Sequence, residues 1–402
     1  AGAADIRLVY DSGPRYRLGA VRFEGESPIG DALLERFVKF APGTLYDADL
    51  LAAFNQDLIG SGYFAQVLVD APREQAVDQV IPVIVQVSPR KPRTLGLGVG
   101  FSTDVGPRVR TTWQEHWVND QGHRRGAEIE VSEPRQNLGL WYEFPLDPPT
   151  TDKFRLTSGF QREHIEDTDS RRLTLGGQWY TRLDNGWQQI LSMRWEEERY
   201  AIGDLRGRST LLLPGIGFTK THSDQAIDPS RGYRLQLEVA GAQRTFLSDA
   251  DILHVTALAK GLHTLGNGHR ILGRAQVGLV GTNEFSAVPP SLRFFAGGDQ
   301  SVRGYDYQSL SPRNAEGTVV GGRYLLVGSA EYQIPVAARW RVAAFVDEGN
   351  AIDSPRDPLQ TGVGLGVRWV SPLGPLRLDL AYGLSESAGG GLRLHFSMGP
   401  EL

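Results

Sequence analysis

No cysteine occurs in the 402 residues, so no disulfide can brace the fold, and the chain suits an oxidising periplasm where stray thiols would cross-link. No apolar run approaches the roughly 18 residues that a membrane helix requires, and only 40% of the residues are hydrophobic, which excludes a helical membrane protein. No basic block of the kind that tracks phosphates is present and the formal net charge is −5, which argues against nucleic acid as a partner. No signal peptide is visible at Ala1, so the chain reads as mature or trimmed. The eight histidines are scattered without metal-ligand spacing, and no nucleophile stands near Asp251 or His254, so the reading contains no metal, no cofactor and no catalytic residue. Gly362 to Gly366 resembles a dinucleotide loop only superficially, because it lies inside an alternating strand and opens no helix.

What is present is alternation. Leu376, Leu378, Leu380 and Tyr382 share one face of a strand whose other face carries Arg377 and Asp379. Leu392, Leu394, Phe396 and Met398 repeat the scheme against Arg393, His395 and Ser397, as do Val363, Leu365, Val367 and Trp369 against Gly362, Gly364, Gly366 and Arg368. A sheet with two such faces meets two solvents, and its recurrence along most of the chain predicts a closed barrel in lipid. The 48 glycines, 13 tyrosines and 8 tryptophans supply the bends and interfacial aromatics that such barrels use. Segmentation from about residue 94 gives sixteen strands, an even number whose ends meet antiparallel, with barrel bounds at 94–402.

The first ninety residues differ. A strand over Tyr16 to Gly25, a helix over Asp31 to Phe40, a second helix capped by Asp47 and lined by Leu50, Phe54 and Leu58, and strands over Ala65 to Asp70 and Val77 to Val87 predict a compact α+β module at 14–90. Residues 1–13 read as the remnant of an earlier module or a linker. Ser88 to Pro92 is the joint, where two prolines oppose regular pairing.

One long segment, 282–320, interrupts the strands, and with the small domain in the periplasm it is the sixth extracellular loop. Loops of about forty residues are usually functional or disordered. This one contains Val302-Arg303-Gly304-Tyr305. Glu331 and Asp347 fall on inward faces of the next two strands, so a loop folded into the lumen would bring the Arg303 guanidinium onto the carboxylates it needs.

These motifs, together with Gly322-Arg323-Tyr324, Phe345-Val346-Asp347, Gly364 to Trp369 and Ser371 to Pro375, resemble those of the POTRA-containing outer-membrane insertases. Ser12 to Tyr16, Ser102 to Val109, Phe294 to Asp299 and the terminal Gly399 to Leu402 are similar to the TamA family within them. The resemblance implies a 16-stranded antiparallel outer-membrane β-barrel preceded by a POTRA domain, further POTRA domains upstream, a lumenal loop anchored by its arginine, and no enzymatic activity. It implies outer-membrane lipid, unfolded outer-membrane protein and autotransporter clients, and a TamB-like inner-membrane-anchored protein as partners.

An insertase needs a weak seam between its first and last strands. Leu95, Leu97, Val99 and Phe101 face lipid while Gly96, Gly98 and Gly100 bare the inner side of the first strand. Gly390 and Gly391 precede a last strand whose apolar stretch, including Leu394 and Phe396, is about seven residues against roughly 9–11 for a full crossing. The rival readings are a two-partner secretion transporter, a general barrel-assembly subunit and, from another class, a passive sixteen-stranded porin, with an outer-membrane enzyme more remote.

Overall fold

The computed structural model describes residues 13–225, 227–371 and 374–399, which fall into two compact units. The strand expected over Ile6 to Tyr10 and the terminal Pro400 to Leu402 lie outside the described residues.

The smaller unit is built on the chain up to Thr94. Its elements are β1 (Arg17–Gly25), α1 (Asp31–Glu35), α2 (Ala48–Gly60), β2 (Phe64–Asp70) and β3 (Val80–Pro89). The three strands form one sheet with β3 in the middle, parallel to β1 and antiparallel to β2. Alternation puts Ile81, Val83, Val85 and Val87 of the central strand on one buried face, against which α2 packs Leu51, Phe54 and Leu58. The Asp47 side chain caps α2 by accepting from the Asp49 N–H at 2.9 Å. Three expectations need correction. The first helix ends at Glu35, where Arg36 and Phe37 turn to i→i+3 bonds, although Leu33, Leu34 and Phe37 are buried as its spacing required. Leu51, not singled out by the spacing, is the buried leucine beside Phe54 and Leu58, and Leu50 packs against the same core only partly buried. The last strand begins at Val80, because Asp78 and Gln79 adopt positive φ, and it runs on to Pro89, which sits at its end opposite Phe64.

The larger unit contains a single antiparallel sheet of sixteen strands, each hydrogen-bonded to its neighbours in chain order, from β4 (Arg93–Ser102) and β5 (Gly106–Glu115) to β19 (Leu392–Met398). The strands that build the site are β11 (Leu205–Ser223), β12 (Arg231–Ala242), β13 (Ile252–Thr264), β14 (Arg270–Gly281), β15 (Tyr324–Ala337), β16 (Trp340–Ile352), β17 (Gln360–Ser371) and β18 (Gly374–Gly383). Outward positions are greasy and exposed, with Leu97 at 76% and Leu365 at 64%, because hydrocarbon is their intended solvent. Trp340 and Trp369 face each other across β16 and β17 and stack at 5.4 Å, an interfacial pair.

Inward positions divide by depth. Near the long loop they are apolar: Leu211, Leu213, Ile252, Val280, Leu325 and Val327 pack on Val288, Leu292, Phe294, Val302 and Tyr305 of the loop. Farther along the same faces they are polar, with Ser329, Glu331 and Gln333 following Val327 on β15. The loop is therefore a plug with its own hydrophobic seat, and this burial contributes the main attraction holding it inside.

Candidate functional site

Arg303 comes from the loop, and every group that holds it comes from a strand. Its Nε and Nη2 donate to the two oxygens of Asp347 at 2.7 and 2.9 Å, a bidentate fork. Its Nη1 reaches Glu331 at 3.0 Å and Asp379 at 3.1 Å, and its guanidinium lies over the Phe345 ring at 3.3 Å. Arg368 closes the network by donating to both oxygens of Glu331 at 2.9 and 2.8 Å and to Asp379 at 2.6 Å. Burial works against the Arg303 charge, but Asp347 first, then Glu331 and Asp379, more than offset it and raise its pKa above the usual arginine value.

Ladder register explains why these residues meet. Ser329 faces Asp347 across β15 and β16, and Asp347 faces Gly362 across β16 and β17. A Cβ on Gly362 would land on the Arg303 carbonyl oxygen, and one on Gly366 would land on Asp379 Oδ1. The space beside Gly362 is taken by the loop, and that beside Gly364 and Gly366 by Phe345 and Asp379, the wall side chains that meet Arg303. Gly304 has φ +94°, and a side chain there would strike the backbone of Gly383, so the motif needs glycine at that step. Its N–H donates to His395 Nε2 at 2.9 Å. Val302 and Tyr305 are fully buried, and the Tyr305 hydroxyl donates to the Thr361 carbonyl at 3.1 Å.

The sequence reading placed Glu331 and Asp347 beside Arg303, and the structure brings all three together. It passed over Asp379, Arg368, Phe345 and His395. Alternation marked Asp379, Arg368 and His395 as inward, but no local signal tells which inward residues a curved wall delivers to one point.

The second region is the joint of β4 with β19. Among the described residues no strand ladder joins them. Thr103, in the turn after β4, donates its N–H to the Phe396 carbonyl at 3.1 Å, and its hydroxyl oxygen accepts from the Phe396 N–H at 3.2 Å. The rings of Phe101 and Phe396 lie 5.9 Å apart. Leu95 and Leu394 are exposed at 73% and 57%. Gly96 and Gly100 are not bare inside: a Cβ there would meet Thr112 Oγ1 at 2.6 Å and Arg108 Nε at 2.8 Å, so side chains of β5 lean over them. Gly98 has only Arg110 nearby, Gly390 is pressed against the Gly383 carbonyl, and Gly391 has open space.

A loop residue ties this joint. Asp299 Oδ1 accepts from the Thr103 hydroxyl at 2.8 Å and lies 2.7 Å from His395 Nδ1, while the Asp299 N–H donates to the Asp104 carboxylate at 2.9 and 3.1 Å. Because His395 Nε2 accepts from Gly304, its Nδ1 carries the hydrogen and donates to Asp299. The trio Asp104, Asp299 and His395 is thus a hydrogen-bonded latch, in which Nδ1 has no free lone pair for a metal. Burial, then the neighbouring Asp299, pushes the Asp104 carboxyl up to about 8.

A sixteen-stranded barrel with apolar outer faces, a plugged lumen and a preceding small α+β module defines a POTRA-bearing outer-membrane barrel protein. Residues 91–401 match the Omp85 superfamily domain, and residues 16–90 match the POTRA model described as a surface antigen variable number repeat. The chain belongs to the Omp85 superfamily. It is 26% identical to the outer membrane protein assembly factor BamA of Nitratidesulfovibrio vulgaris, over 98% of this chain and 52% of that protein. The crystal structure of BamA from Haemophilus ducreyi lacking POTRA domains 1–3 matches with a TM-score of 0.83 at 17% identity, covering 96% of this chain and 85% of that one. CdiB from Acinetobacter baumannii shares the fold with a TM-score of 0.61 at 13% identity, covering 96% and 74%. The chain spans about half the length of the curated relatives it matches. Its place is the outer membrane, with the POTRA domain in the periplasm.

Proposed function

We propose that this protein inserts outer-membrane β-barrel proteins into the bilayer through the joint between β4 and β19, without bond chemistry. The observation that carries this is the asymmetry of the barrel wall. β18 and β19 share seven registered residue pairs, whereas β19 meets the β4 side through Thr103 and Phe396. The unpaired backbone groups of such an edge offer a client strand a template for β-augmentation. The brevity of β19 and the exposure of its leucines suit a locally thinned bilayer, which lowers the barrier to entry. In this reading Arg303, Glu331 and Asp347 hold the plug so that the edge opens without the lumen collapsing.

Autotransporter clients and a TamB-like partner form the finer proposal, supported by the motifs at Ser12 to Tyr16 and Phe294 to Asp299. A general barrel-assembly role is the second reading, favoured by the likeness to BamA along nearly the whole chain. The test is reconstitution in liposomes with unfolded clients, comparing wild type with a Phe101→Cys/Phe396→Cys protein, which starts from a cysteine-free background. Oxidation should abolish insertion and reduction restore it. Undiminished insertion by the oxidised protein refutes the gate. Acceleration of autotransporters alone supports the finer reading, and equal acceleration of all barrels supports the general one.

A further inference from the structure

Three cations stand side by side on the lumenal faces of β12, β13 and β14, and the last of them, Arg274, borders the Arg303 network across a shared cavity. Arg234 faces Lys260, and Lys260 faces Arg274. Directly opposed side chains in a ladder sit about 5 Å apart, and like charges there destabilise the sheet. The charges acting on Lys260 are Arg274, Arg377 and Arg234, all cations. Among the described residues its ammonium makes no hydrogen bond or ion pair. Arg274 gives its terminal nitrogens to the carbonyls of Gln300 and Ser301, and its Nε, like that of Arg234, is buried without a partner.

Two carboxylates border this cavity. Glu331 accepts from Arg303 and Arg368, and Asp299 accepts from Thr103 and His395 at Oδ1, while its Oδ2 is buried without a hydrogen bond. What remains is a pocket of about 70 Å³ walled by Lys260 and Arg274, with room for a carboxylate group. Beside it on the same inner wall lies a groove of about 360 Å³ lined by Gln236, Thr256 and Gln276, neutral groups that both donate and accept, and by Glu238, whose charge is met by Arg194 at 3.6 Å. That wall suits the amides of an extended chain more than a free phosphate. A bilayer lipid cannot reach it while its tails stay in hydrocarbon, because these residues face the lumen.

We propose that the row Arg234, Lys260 and Arg274 binds carboxylate side chains of an acidic polypeptide segment lying in the barrel lumen. The source of that segment rests on the insertase reading, where it is part of a client; the binding itself does not.

The experiment is fluorescence anisotropy on the detergent-solubilised full chain, using labelled decapeptides of alternating Asp and Ser or of alternating Asn and Ser. The Asp peptide should bind at least about tenfold more tightly, with the advantage shrinking at high salt. Lys260→Met should lose about tenfold and Lys260→Arg should retain binding. Arg234→Gln provides a second variant, and heat-dependent gel migration shows that each is folded. Equal affinity for the two peptides, or a folded Lys260→Met protein that binds as wild type, overturns the site. Inorganic phosphate that outcompetes the peptide reassigns the row to a free oxyanion and overturns the polypeptide. Insertion assayed on the same preparations separates the two readings: peptide binding without insertion sinks only the insertase, and insertion without peptide binding sinks only this site.

Discussion

Replacing Arg303 with alanine should cost the barrel about 3–5 kcal/mol, the usual penalty for removing one partner of a buried ion pair. The network holds Arg303 and Arg368 against Asp347, Glu331 and Asp379, so two cations face three carboxylates and deletion leaves one cation for three. Asp347 suffers most. Its side chain is fully buried, and after the loss of Arg303 it keeps only the Ser329 hydroxyl at 2.6 Å as a side-chain donor. Neutralising that orphan should help, so Arg303→Ala/Asp347→Asn should be more stable than Arg303→Ala alone, although Asp347→Asn destabilises the wild type. Arg303→Lys keeps the charge but not the fork and should lose about 1.5–3 kcal/mol, the worth of a charge-assisted hydrogen bond. Equilibrium denaturation in detergent measures each value, and limited proteolysis within 282–323 reports release of the plug. An Arg303→Ala loss below about 1 kcal/mol, or an Asp347→Asn change that adds to the damage in the Arg303→Ala background, would refute the reasoning.

The Asp104 carboxyl, ordinarily near 3.8 and pushed to about 8 by burial and then by Asp299, holds a proton when folded that it loses when exposed, with Tyr307 and His395 the other titratable groups close to the pair. Its contribution to the latch is therefore full at low pH and falls as pH rises from about 4 to about 8; maleimide labelling of Phe396→Cys should accelerate over that window, and an unchanged pH slope in Asp104→Asn refutes the assignment. Gly362→Ala puts a methyl on the Arg303 carbonyl oxygen and should cost about 1–3 kcal/mol by overpacking, with greater protease sensitivity of the loop; an unchanged denaturation midpoint contradicts it. Asp47→Ala removes the α2 cap and should lower POTRA stability by about 0.5–2 kcal/mol in thermal unfolding, whereas Asp47→Asn should be nearly neutral.

The barrel was legible because each strand must satisfy hydrocarbon on one side and a wet lumen on the other, which leaves period-two alternation in the chain. The loop anchor was half legible for the same reason: Glu331 and Asp347 are inward by parity and close to the loop in sequence. Asp379 is equally inward, but it lies 76 residues beyond Arg303, and only the curvature of the wall returns it. The plug left a trace that alternation alone could not interpret. Leu211-Leu212-Leu213 is apolar on both faces, and Leu211 and Leu213 are fully buried in the lumen under the loop. Such a run marks a strand covered on both sides. The early end of α1 had no comparable signal, since Leu33, Leu34 and Phe37 are buried whether the chain stays helical or tightens into single turns.

Strength and weakness lie close together in this wall, and their ranking has a consequence. Separating Thr103 from Phe396 breaks one backbone hydrogen bond and one from the Phe396 N–H to the Thr103 hydroxyl, about 1–3 kcal/mol in all. Withdrawing Arg303 costs more than that through the carboxylates alone, before its apolar neighbours Val302 and Tyr305 leave their seat. Strain applied at the rim therefore opens the joint first and leaves the loop in place. The loop also touches both sides of that joint, through Asp299 on Thr103 and through Gly304 on His395. Opening the edge thus breaks the Asp299 contacts with Thr103 and Asp104 on one side, while Gly304 and Asp299 still hold His395 of the last strand to the plug.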